Sequence, residues 1–245
     1  MPRYKITVEY DGTSYAGWQK QKQQPSIQGE IERALSEFLQ EKVEIYGSGR
    51  TDSGVHALGQ VAHFDLPKEY SEDTIIKAVN FYLKSQPISI LSCEQVNLEF
   101  HARFSAKKRY YCYHIINRLS PLTVDLNRAW HIIERLDIQQ MQKAAEMLEG
   151  THDFSSFRTS LCQAKSPIKI LDYIKITCKK DKITFEIRAQ SFLHNMVRNI
   201  IGVLRMVGNG KWSLADLQKH LDAKDTSIRK PTAPAHGLYL WKVDF

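Results

Sequence analysis

The segment with the most unusual chemistry runs from Gly47 to Ala57 and reads GSGRTDSGVHA. Residues 47–59 contain four glycines, and glycine permits sharp turns and a close approach of the backbone to a ligand. Between the glycines stand Arg50, Asp52 and His56, which are residue types that can hold charge or transfer protons. This segment is therefore the first candidate for a catalytic loop.

Asp52 is the residue in this loop best suited to covalent or electrostatic chemistry. An ionised, poorly hydrated carboxylate can act as a nucleophile or stabilise an electron-poor sugar carbon. Burial disfavours the charged form of a carboxyl group, whereas a nearby guanidinium favours it. We therefore expect Arg50 to orient Asp52 and keep it ionised. The alternative is a glycine-rich turn with a surface Arg–Asp pair that contributes about 0–1 kcal/mol to stability.

The glycines do not form a familiar phosphate-binding motif. The pattern that begins at Gly47 and Gly49 has Asp52 where the dinucleotide fingerprint has its third glycine, and we expect a strand after it rather than a helix. The chain contains no G-x-x-x-x-G-K-[ST] motif. His152 and Asp153 form an isolated pair without metal-ligand spacing, so no metal site is expected.

The charge distribution favours a polyanionic partner. The 245 residues include 34 Lys and Arg against 27 Asp and Glu, which gives a net charge of +7. Residues 101–118 and 187–215 carry basic side chains and no acidic ones, and tyrosines and a tryptophan lie in or near the basic stretches. Because aromatic faces beside cations suit unpaired bases, this pattern indicates nucleic-acid binding.

The remaining composition predicts a cytoplasmic protein. The four cysteines (93, 112, 162 and 178) form no C-x-x-C pair, so we expect four reduced thiols. The longest run without Asp, Glu, Lys or Arg is 12 residues, 53–64, whereas a membrane span needs about 20 apolar residues. The first residues contain no apolar segment typical of a signal peptide, and we expect no membrane association.

Periodicity predicts an α+β protein with two similarly built domains. The first half has strand patterns at 4–10, 43–46, 60–66 and 88–96, with helices capped by Ser26 and Ser71. The second has strand patterns at 109–116, 168–177, 182–189 and 238–243, with helices after Asp137, at 194–207 and after Ser213, and Gly150 is expected to end the first of these. We expect RRM- or ferredoxin-like domains at 1–100, carrying the Asp52 loop, and 101–245, with mixed or antiparallel sheets and a basic cleft between them.

Six blocks of the chain, in order, resemble those of the TruA family of tRNA pseudouridine synthases. They are YDGTSYAGWQ (10–19), RTDSGVHA (50–57), FHARFSA with Arg109 and YYCY (100–113), GTHDFSSF (150–157), FLHNMVR (192–198) and APAHGL (233–238). Because the blocks span nearly the whole chain, the resemblance is far more specific than a single motif would be.

The resemblance implies an activity and its catalytic residues. The family converts uridine to pseudouridine by breaking the C1′–N1 bond, turning the uracil and rejoining it through C5, with no metal or cofactor. The family's essential aspartate, the expected nucleophile, corresponds to Asp52, and its arginine partner corresponds to Arg50. The expected targets are positions 38, 39 and 40 in the anticodon stem-loop of tRNA, and the family acts as a homodimer.

The same resemblance places substrate-binding residues in the second half of the chain. Tyr111 corresponds to the tyrosine that stacks on the target base, Arg198 to a helix arginine, and Leu238 to a residue lining the base pocket. Tyr110 is the neighbouring alternative and would face the other side of the strand. Without the resemblance, Tyr111 could equally be a core tyrosine, and Arg198 a solvated charge, a partner of Asp52 or a phosphate ligand.

Binding of a folded RNA also requires contacts remote from the reaction. The candidates for phosphate contacts are Arg103, Lys107, Lys108, Arg109, Arg188 and Arg205. Removing the target uridine from its stack costs a few kcal/mol, and Arg50 is a candidate to fill the vacated space. One rival interpretation is a non-catalytic RNA-binding protein on the same fold. Another is a glycosidase, although retaining chemistry needs two carboxylates about 5 Å apart and the loop offers one.

Overall fold

Two units make up the computed structural model, which describes residues 1–160, 162–228 and 230–245. Unit 1 comprises residues 1–107 and 239–245, and unit 2 comprises residues 108–238. In chain order, the elements are β1 (Arg3–Tyr10), α1 (Ile27–Leu39), β2 (Tyr46–Gly47), β3 (His56–Asp65), α2 (Glu72–Leu83), β4 (Ile88–Val96), β5 (Lys108–Asn117), β6 (Trp130–Ile132), α3 (Ile138–Glu146), β7 (Gly150–Asp153), β8 (Ile168–Lys179), β9 (Lys182–Ala189), α4 (Met196–Gly208), α5 (Leu214–Asp222) and β10 (Leu238–Asp244).

The sheet of unit 1 has the strand order β4-β1-β3-β10, with the short β2 also paired to β3. β1 is antiparallel to both β3 and β4, whereas β10 is parallel to β3 through the pairs Tyr239 with His56 and Leu240 with Ala57. The expected division into 1–100 and 101–245 differs from this arrangement. Residues 239–245 join unit 1 because they hydrogen-bond to a strand far away in the sequence, which a local pattern does not reveal.

Unit 1 forms its core as the residue pattern predicts. Tyr4, Ile6 and Val8 alternate along β1 and are buried. Ser26 and Ser71 cap α1 and α2, since each hydroxyl oxygen accepts a hydrogen bond from the backbone amide three residues later. The helices bury the apolar stripe that their sequence pattern predicts, and α2 packs against β4.

Unit 2 repeats the order of unit 1. Its sheet runs β5-β9-β8-β7 in antiparallel pairs, and β6 pairs with β5 in parallel. A strand, a helix, an antiparallel pair and a second helix follow one another in both units: β1, α1, β2 with β3 and α2, then β5, α3, β8 with β9 and α4. The predicted α+β class with two similarly built parts is therefore confirmed.

Several element bounds differ from the sequence expectation. The strand predicted at 43–46 forms only at Tyr46–Gly47, and β3 begins at His56, four residues earlier than predicted. The early start follows from the pairing of His56 with Tyr239. Helix α3 ends at Glu146, and Gly150, with φ 90°, begins β7 instead of ending the helix.

Helix α4 lies directly against an extended segment at residues 231–233. A Cβ added to Gly202 would stand 1.2 Å from the carbonyl oxygen of Pro231, so only glycine allows this approach. The same segment binds Arg198 twice: the amide of Ala233 donates to the carbonyl oxygen of Arg198 at 3.0 Å, and Arg198 Nε donates to the carbonyl oxygen of Ala233 at 2.8 Å. The position of Arg198 thus depends on this close backbone contact.

We expect Gly202→Ala to destabilise the protein because the added methyl group must displace the 231–233 segment. A clash with backbone of this severity costs about 3 kcal/mol or more, which lowers Tm by about 6–12 °C in a chain of this size. Differential scanning calorimetry measures the change. Gly29→Ala in α1 is the control, since its Cβ would meet only the side chains of Ser26 and Lys20. Equal melting temperatures for the wild type and Gly202→Ala would contradict the account.

Candidate active site

The loop that carries Asp52 is held by contacts with residues 10–18, which run on from the last residue of β1. The amide of Trp18 donates to the carbonyl oxygen of Thr51 at 3.1 Å, and the amide of Gly54 donates to that of Tyr15 at 3.4 Å. The hydroxyls of Tyr10 and Thr51 are hydrogen-bonded at 2.8 Å. Tyr10, Tyr15 and Trp18 are themselves nearly inaccessible. The residues on both sides of Asp52 are therefore anchored to a rigid part of unit 1.

Two glycines allow the chain segments to come this close. A Cβ on Gly12 would lie 2.0 Å from the carbonyl oxygen of Val55, and one on Gly17 would lie 2.3 Å from that of Thr51. Gly17 also has φ +100°, a conformation that L-residues rarely adopt. These glycines occur in the first of the six blocks, and their role is to seat the Asp52 loop.

The preceding part of the loop is anchored to β3. Ser48 donates its amide to the carbonyl oxygen of Val61 at 2.7 Å and its hydroxyl to Gln60 Oε1 at 2.7 Å. The side-chain nitrogen of Gln60, Nε2, in turn donates to the carbonyl oxygen of Gly49 at 2.9 Å. Because Ser48 and Gln60 are buried, these bonds are shielded from water.

Asp52 itself is partly buried at the start of a tight turn. Its carbonyl oxygen accepts a hydrogen bond from the amide of Val55 at 3.2 Å, and Gly54 supplies the positive φ of 78° that the turn requires. The carboxylate thus projects from a backbone fixed on either side. Such preorganisation lowers the cost of holding a charged group in a reactive geometry.

Arg50 is hydrogen-bonded to a glutamine of the segment after β1. Its Nε donates to Gln19 Oε1 at 3.0 Å, Gln19 is held by Gln28, and the Arg50 side chain is exposed. The expectation that Arg50 orients Asp52 stays a prediction. The other expectation, that Arg50 faces the RNA, is compatible with its exposure.

His56 belongs to the scaffold of the loop. Its Nδ1 accepts a hydrogen bond from the amide of Gly12 at 3.0 Å, and its ring stacks on Tyr239 at 4.7 Å between centroids. Asp11 Oδ1 lies 3.2 Å from the same nitrogen. Because Nδ1 already accepts the hydrogen of the Gly12 amide, it has no hydrogen to donate to Asp11. Asp11 Oδ1 lies near it because Asp11 accepts a hydrogen bond from the amide of Thr13 in the same turn. With 2% exposure, His56 ties β3 to the turn after β1.

The substrate-binding candidates of unit 2 occupy its sheet and helix α4. Tyr111 on β5 is 8% exposed and meets Phe192 edge to face, with ring centroids 5.1 Å apart. Tyr110 points to the other face, where the Arg188 guanidinium carbon lies 5.9 Å from the centre of its ring. The ring of Tyr111 is thus held by an aromatic neighbour, Phe192.

Leu238 follows a short 3₁₀ turn at Ala235–Gly237 that packs against β5. A Cβ on Gly237 would lie 2.6 Å from the ring of Tyr113, and the Tyr113 hydroxyl donates to the carbonyl oxygen of Pro234 at 2.9 Å. Burial raises the pKa of Tyr113 well above its usual value, so the phenol stays protonated as this donor. The segment that binds Arg198 at Ala233 therefore continues directly to Leu238, which brings these two candidates into one structural element.

The basic candidates fall into four groups. Lys108 and Arg188 share Asp172, with Lys108 Nζ 2.7 Å from a carboxylate oxygen and Arg188 Nε 2.9 Å from Oδ2. Arg109 donates to the carbonyl oxygen of Gln190 at 2.7 Å. Arg205 binds Glu134 and lies over Trp130, which makes it part of the packing of unit 2. Arg103 and Lys107 of unit 1 have exposed side chains.

The structure carries no metal-binding constellation of three or more His, Cys, Asp or Glu side chains among the residues it describes. All four cysteines are free thiols, and burial raises the pKa of Cys112 to about 12. In the described ranges, every helix is too short or too polar to cross a bilayer.

Comparison with known proteins identifies close relatives along the whole chain. The family model described as tRNA pseudouridine synthase matches residues 6–105 and 144–245. Proteins named tRNA pseudouridine synthase A from Xanthobacter autotrophicus and Afipia carboxidovorans are 50% and 49% identical to the chain, over all of it and 100% of their own length. The one from Maricaulis maris is 48% identical over the whole chain and 98% of its own length. A crystal structure of a Cbf5-Nop10-Gar1 complex is 13% identical over 82% of this chain and 54% of that chain, with a TM-score of 0.33, too low to carry a comparison.

We expect Gly17→Ala to loosen the Asp52 loop. The substitution combines a strained φ with a clash against the carbonyl oxygen of Thr51, so the 10–18 and 51–55 segments must separate. Hydrogen exchange followed by mass spectrometry should show amides in residues 50–57 exchanging about tenfold faster than in the wild type.

Gly210→Ala is the matched control for this experiment. Gly210 also has a positive φ, +75°, but nothing lies within 4 Å of its Cβ position. The control therefore carries the backbone strain without the clash. Unchanged exchange at 50–57 in Gly17→Ala, or equal acceleration there in Gly210→Ala, would refute the seating role of Gly17.

Proposed function

This chain belongs to the tRNA pseudouridine synthase family, and we propose that it isomerises uridines 38, 39 and 40 in the anticodon stem-loop of tRNA. As a member of the family it is an isomerase that acts on tRNA. The observation that carries the proposal for its site is the anchored turn, which presents Asp52 from a backbone held on both sides. The proposal that the target lies in the anticodon stem-loop is based on the resemblance of the six sequence blocks to the family.

In the proposed reaction, Asp52 provides the carboxylate that acts on the target nucleotide. The C1′–N1 bond breaks with its electrons passing to N1, the uracil turns within the site, and C5 bonds to C1′. The proton on C5 then leaves to solvent and N1 takes up a proton, so that the product is an isomer of uridine. The enzyme must hold both fragments while they are separate, so a preset position of the carboxylate contributes by proximity as well as by charge. The backbone contacts of Thr51 and Val55 supply that position.

The base-binding roles are assigned to unit 2. Tyr111 is proposed to stack on the uracil, because its ring is held in place by Phe192. Leu238 is proposed to line the base pocket, and Arg198 to bind a substrate phosphate or the catalytic carboxylate. The shared 231–238 segment would then fix the latter two relative to each other.

Other basic residues are proposed to bind the RNA backbone. Arg50 is exposed, and Gln19 accepts a hydrogen bond from it. An exposed guanidinium held in this way suits a side chain that fills the space left by the flipped uridine. Phosphate contacts are proposed for Arg103, Lys107, Lys108, Arg109, Arg188 and Arg205, the last of which also forms an ion pair with Glu134. We also propose that the protein works as a homodimer in the cytoplasm, where its tRNA substrate resides.

Asp52→Asn tests the catalytic assignment. The substitution keeps the size of the side chain and removes its charge, so release of tritium from tRNA labelled with [5-³H]uridine should fall by at least about a thousandfold. Binding of tRNA should persist, because the loop is held by its backbone. The control is Asp73→Asn, which removes an exposed carboxylate on α2. Undiminished tritium release by Asp52→Asn would disprove the role of Asp52, and wild-type protein that binds tRNA without release would support the rival RNA-binding function.

Replacement of the target uridines tests the proposed positions. Transcripts in which uridines 38, 39 and 40 are replaced singly by cytidine should each lose the pseudouridine at that position only, as read by carbodiimide adduct mapping. A transcript that lacks all three should release no tritium. Pseudouridine formed elsewhere in the tRNA, or release from free uridine, would contradict the anticodon stem-loop assignment.

A further inference from the structure

A second cluster of aromatic side chains lies in unit 1 away from the Asp52 loop. Phe104 is 77% exposed, although it stands in a turn whose other apolar residue, Ala102, is buried. Single exposed apolar residues are common, so exposure alone indicates nothing. What distinguishes Phe104 is the set of rings behind it and the cations beside it.

The turn that presents Phe104 is rigid. The amide of Ser105 donates to the carbonyl oxygen of His101 at 2.8 Å, and the amide of His101 donates to Ser105 Oγ at 3.0 Å. The amide of Ala102 donates to Nδ1 of His63, a buried side chain on β3. The turn is thus closed on itself and fastened to the sheet.

Four rings follow one another from the sheet to the surface, and we call them the aromatic ladder. Tyr46 stacks on His63 with centroids 5.2 Å apart and an interplanar angle of 27°. His63 meets His101 at 4.7 Å, and His101 meets Phe104 at 4.4 Å. Tyr46 is also half exposed. The Phe104 ring is therefore supported from behind while most of its surface faces solvent.

At the Phe104 end of the aromatic ladder the charges suit a polyanion, whereas at the other end the Tyr46 hydroxyl donates to Glu44 at 3.0 Å. The Arg103 guanidinium carbon lies 5.7 Å from the centre of the Phe104 ring, and Lys107 is exposed two residues after the turn. No acidic residue occurs between residues 101 and 118. Burial lowers the pKa of His63 to about 4 and also lowers that of His101, so both imidazoles are neutral at pH 7 and stack without mutual repulsion.

We propose that the aromatic ladder is a stacking platform for an unpaired nucleobase of the bound RNA, with Phe104 as the contacting ring and Arg103 and Lys107 holding the adjacent backbone. An aromatic face flanked by cations fits any base, because every base has a π-face. A preset ring also binds with less loss of conformational freedom than a mobile one. The inference rests on the proposed function for its ligand, which is the tRNA substrate.

The position of the platform along β3 argues for a remote contact. His56 begins β3 next to the Asp52 loop and His63 lies near its other end, seven residues later. At about 3.3 Å per residue, the two points are about 23 Å apart along the strand. A single nucleotide does not extend that far, so the platform must engage a part of the tRNA other than the target uridine.

Phe104→Ala tests the platform. Loss of one stacked base should weaken tRNA binding about tenfold, within the fivefold to 150-fold range that stacking supports. The loss should be the same at every salt concentration, because no phosphate contact is removed. Phe104→Trp should restore binding, since it keeps an aromatic face. Because Phe104 is exposed, these variants are expected to melt as the wild type does.

Two comparisons separate stacking from other effects. Arg103→Gln should reduce the slope of log K against log salt by about 0.7–0.9, the signature of one lost phosphate contact. Phe81→Ala is the matched control: Phe81 is 60% exposed on α2 and also lies beside a cation, with Lys84 Nζ 4.8 Å from its ring centre, but it has no imidazole ladder behind it. Its removal should leave tRNA affinity unchanged.

Several outcomes would overturn the platform without touching the catalytic assignment. These are wild-type affinity of Phe104→Ala for tRNA, equal weakening by Phe81→Ala, or a change of self-association instead of RNA affinity in sedimentation runs. The last result would assign Phe104 to a protein contact. Conversely, if Asp52→Asn kept full activity while Phe104→Ala weakened tRNA binding, the catalytic proposal would fail and the platform would stand.

Discussion

The position of Asp52 depends on a contact between two stretches of main chain. The segment after β1 and the turn at 51–55 approach so closely that side chains at Gly12 and Gly17 would strike carbonyl oxygens. Backbone hydrogen bonds from Trp18 and Gly54 then fix the register of the two segments. The backbone on both sides of Asp52 is thus fixed by main-chain contacts within unit 1.

In unit 2, glycines also allow a close approach of the backbone to its neighbours. The 231–233 segment reaches helix α4 only because residue 202 is a glycine, and the 3₁₀ turn before Leu238 reaches the Tyr113 ring only because residue 237 is one. These contacts fix the positions of Arg198 and Leu238. In both units, therefore, glycines allow a close approach of the backbone beside the proposed site residues.

Much of this architecture could be predicted from the sequence, because it rests on local chemistry. The serine caps of α1, α2 and α5, the alternation in β1 and the Asp52 loop all follow from neighbouring residues. The early start of β3 and the place of β10 could not be predicted, since they depend on a pairing between residues about 180 positions apart. The hydrogen bond of Arg50 to Gln19 could not be predicted either, because it joins residues 31 positions apart. The exposure of Phe104 could not be predicted, because phenylalanine ordinarily indicates a core position.

The strand β10 has a consequence for the way the polypeptide acquires its structure. Its residues lie beside β3 in unit 1, yet they are translated after all of unit 2. During synthesis on the ribosome, the edge of β3 that carries His56 therefore remains uncovered while some 130 intervening residues emerge. The pairing of β10 with β3, and with it the stacking of Tyr239 on His56, therefore forms last.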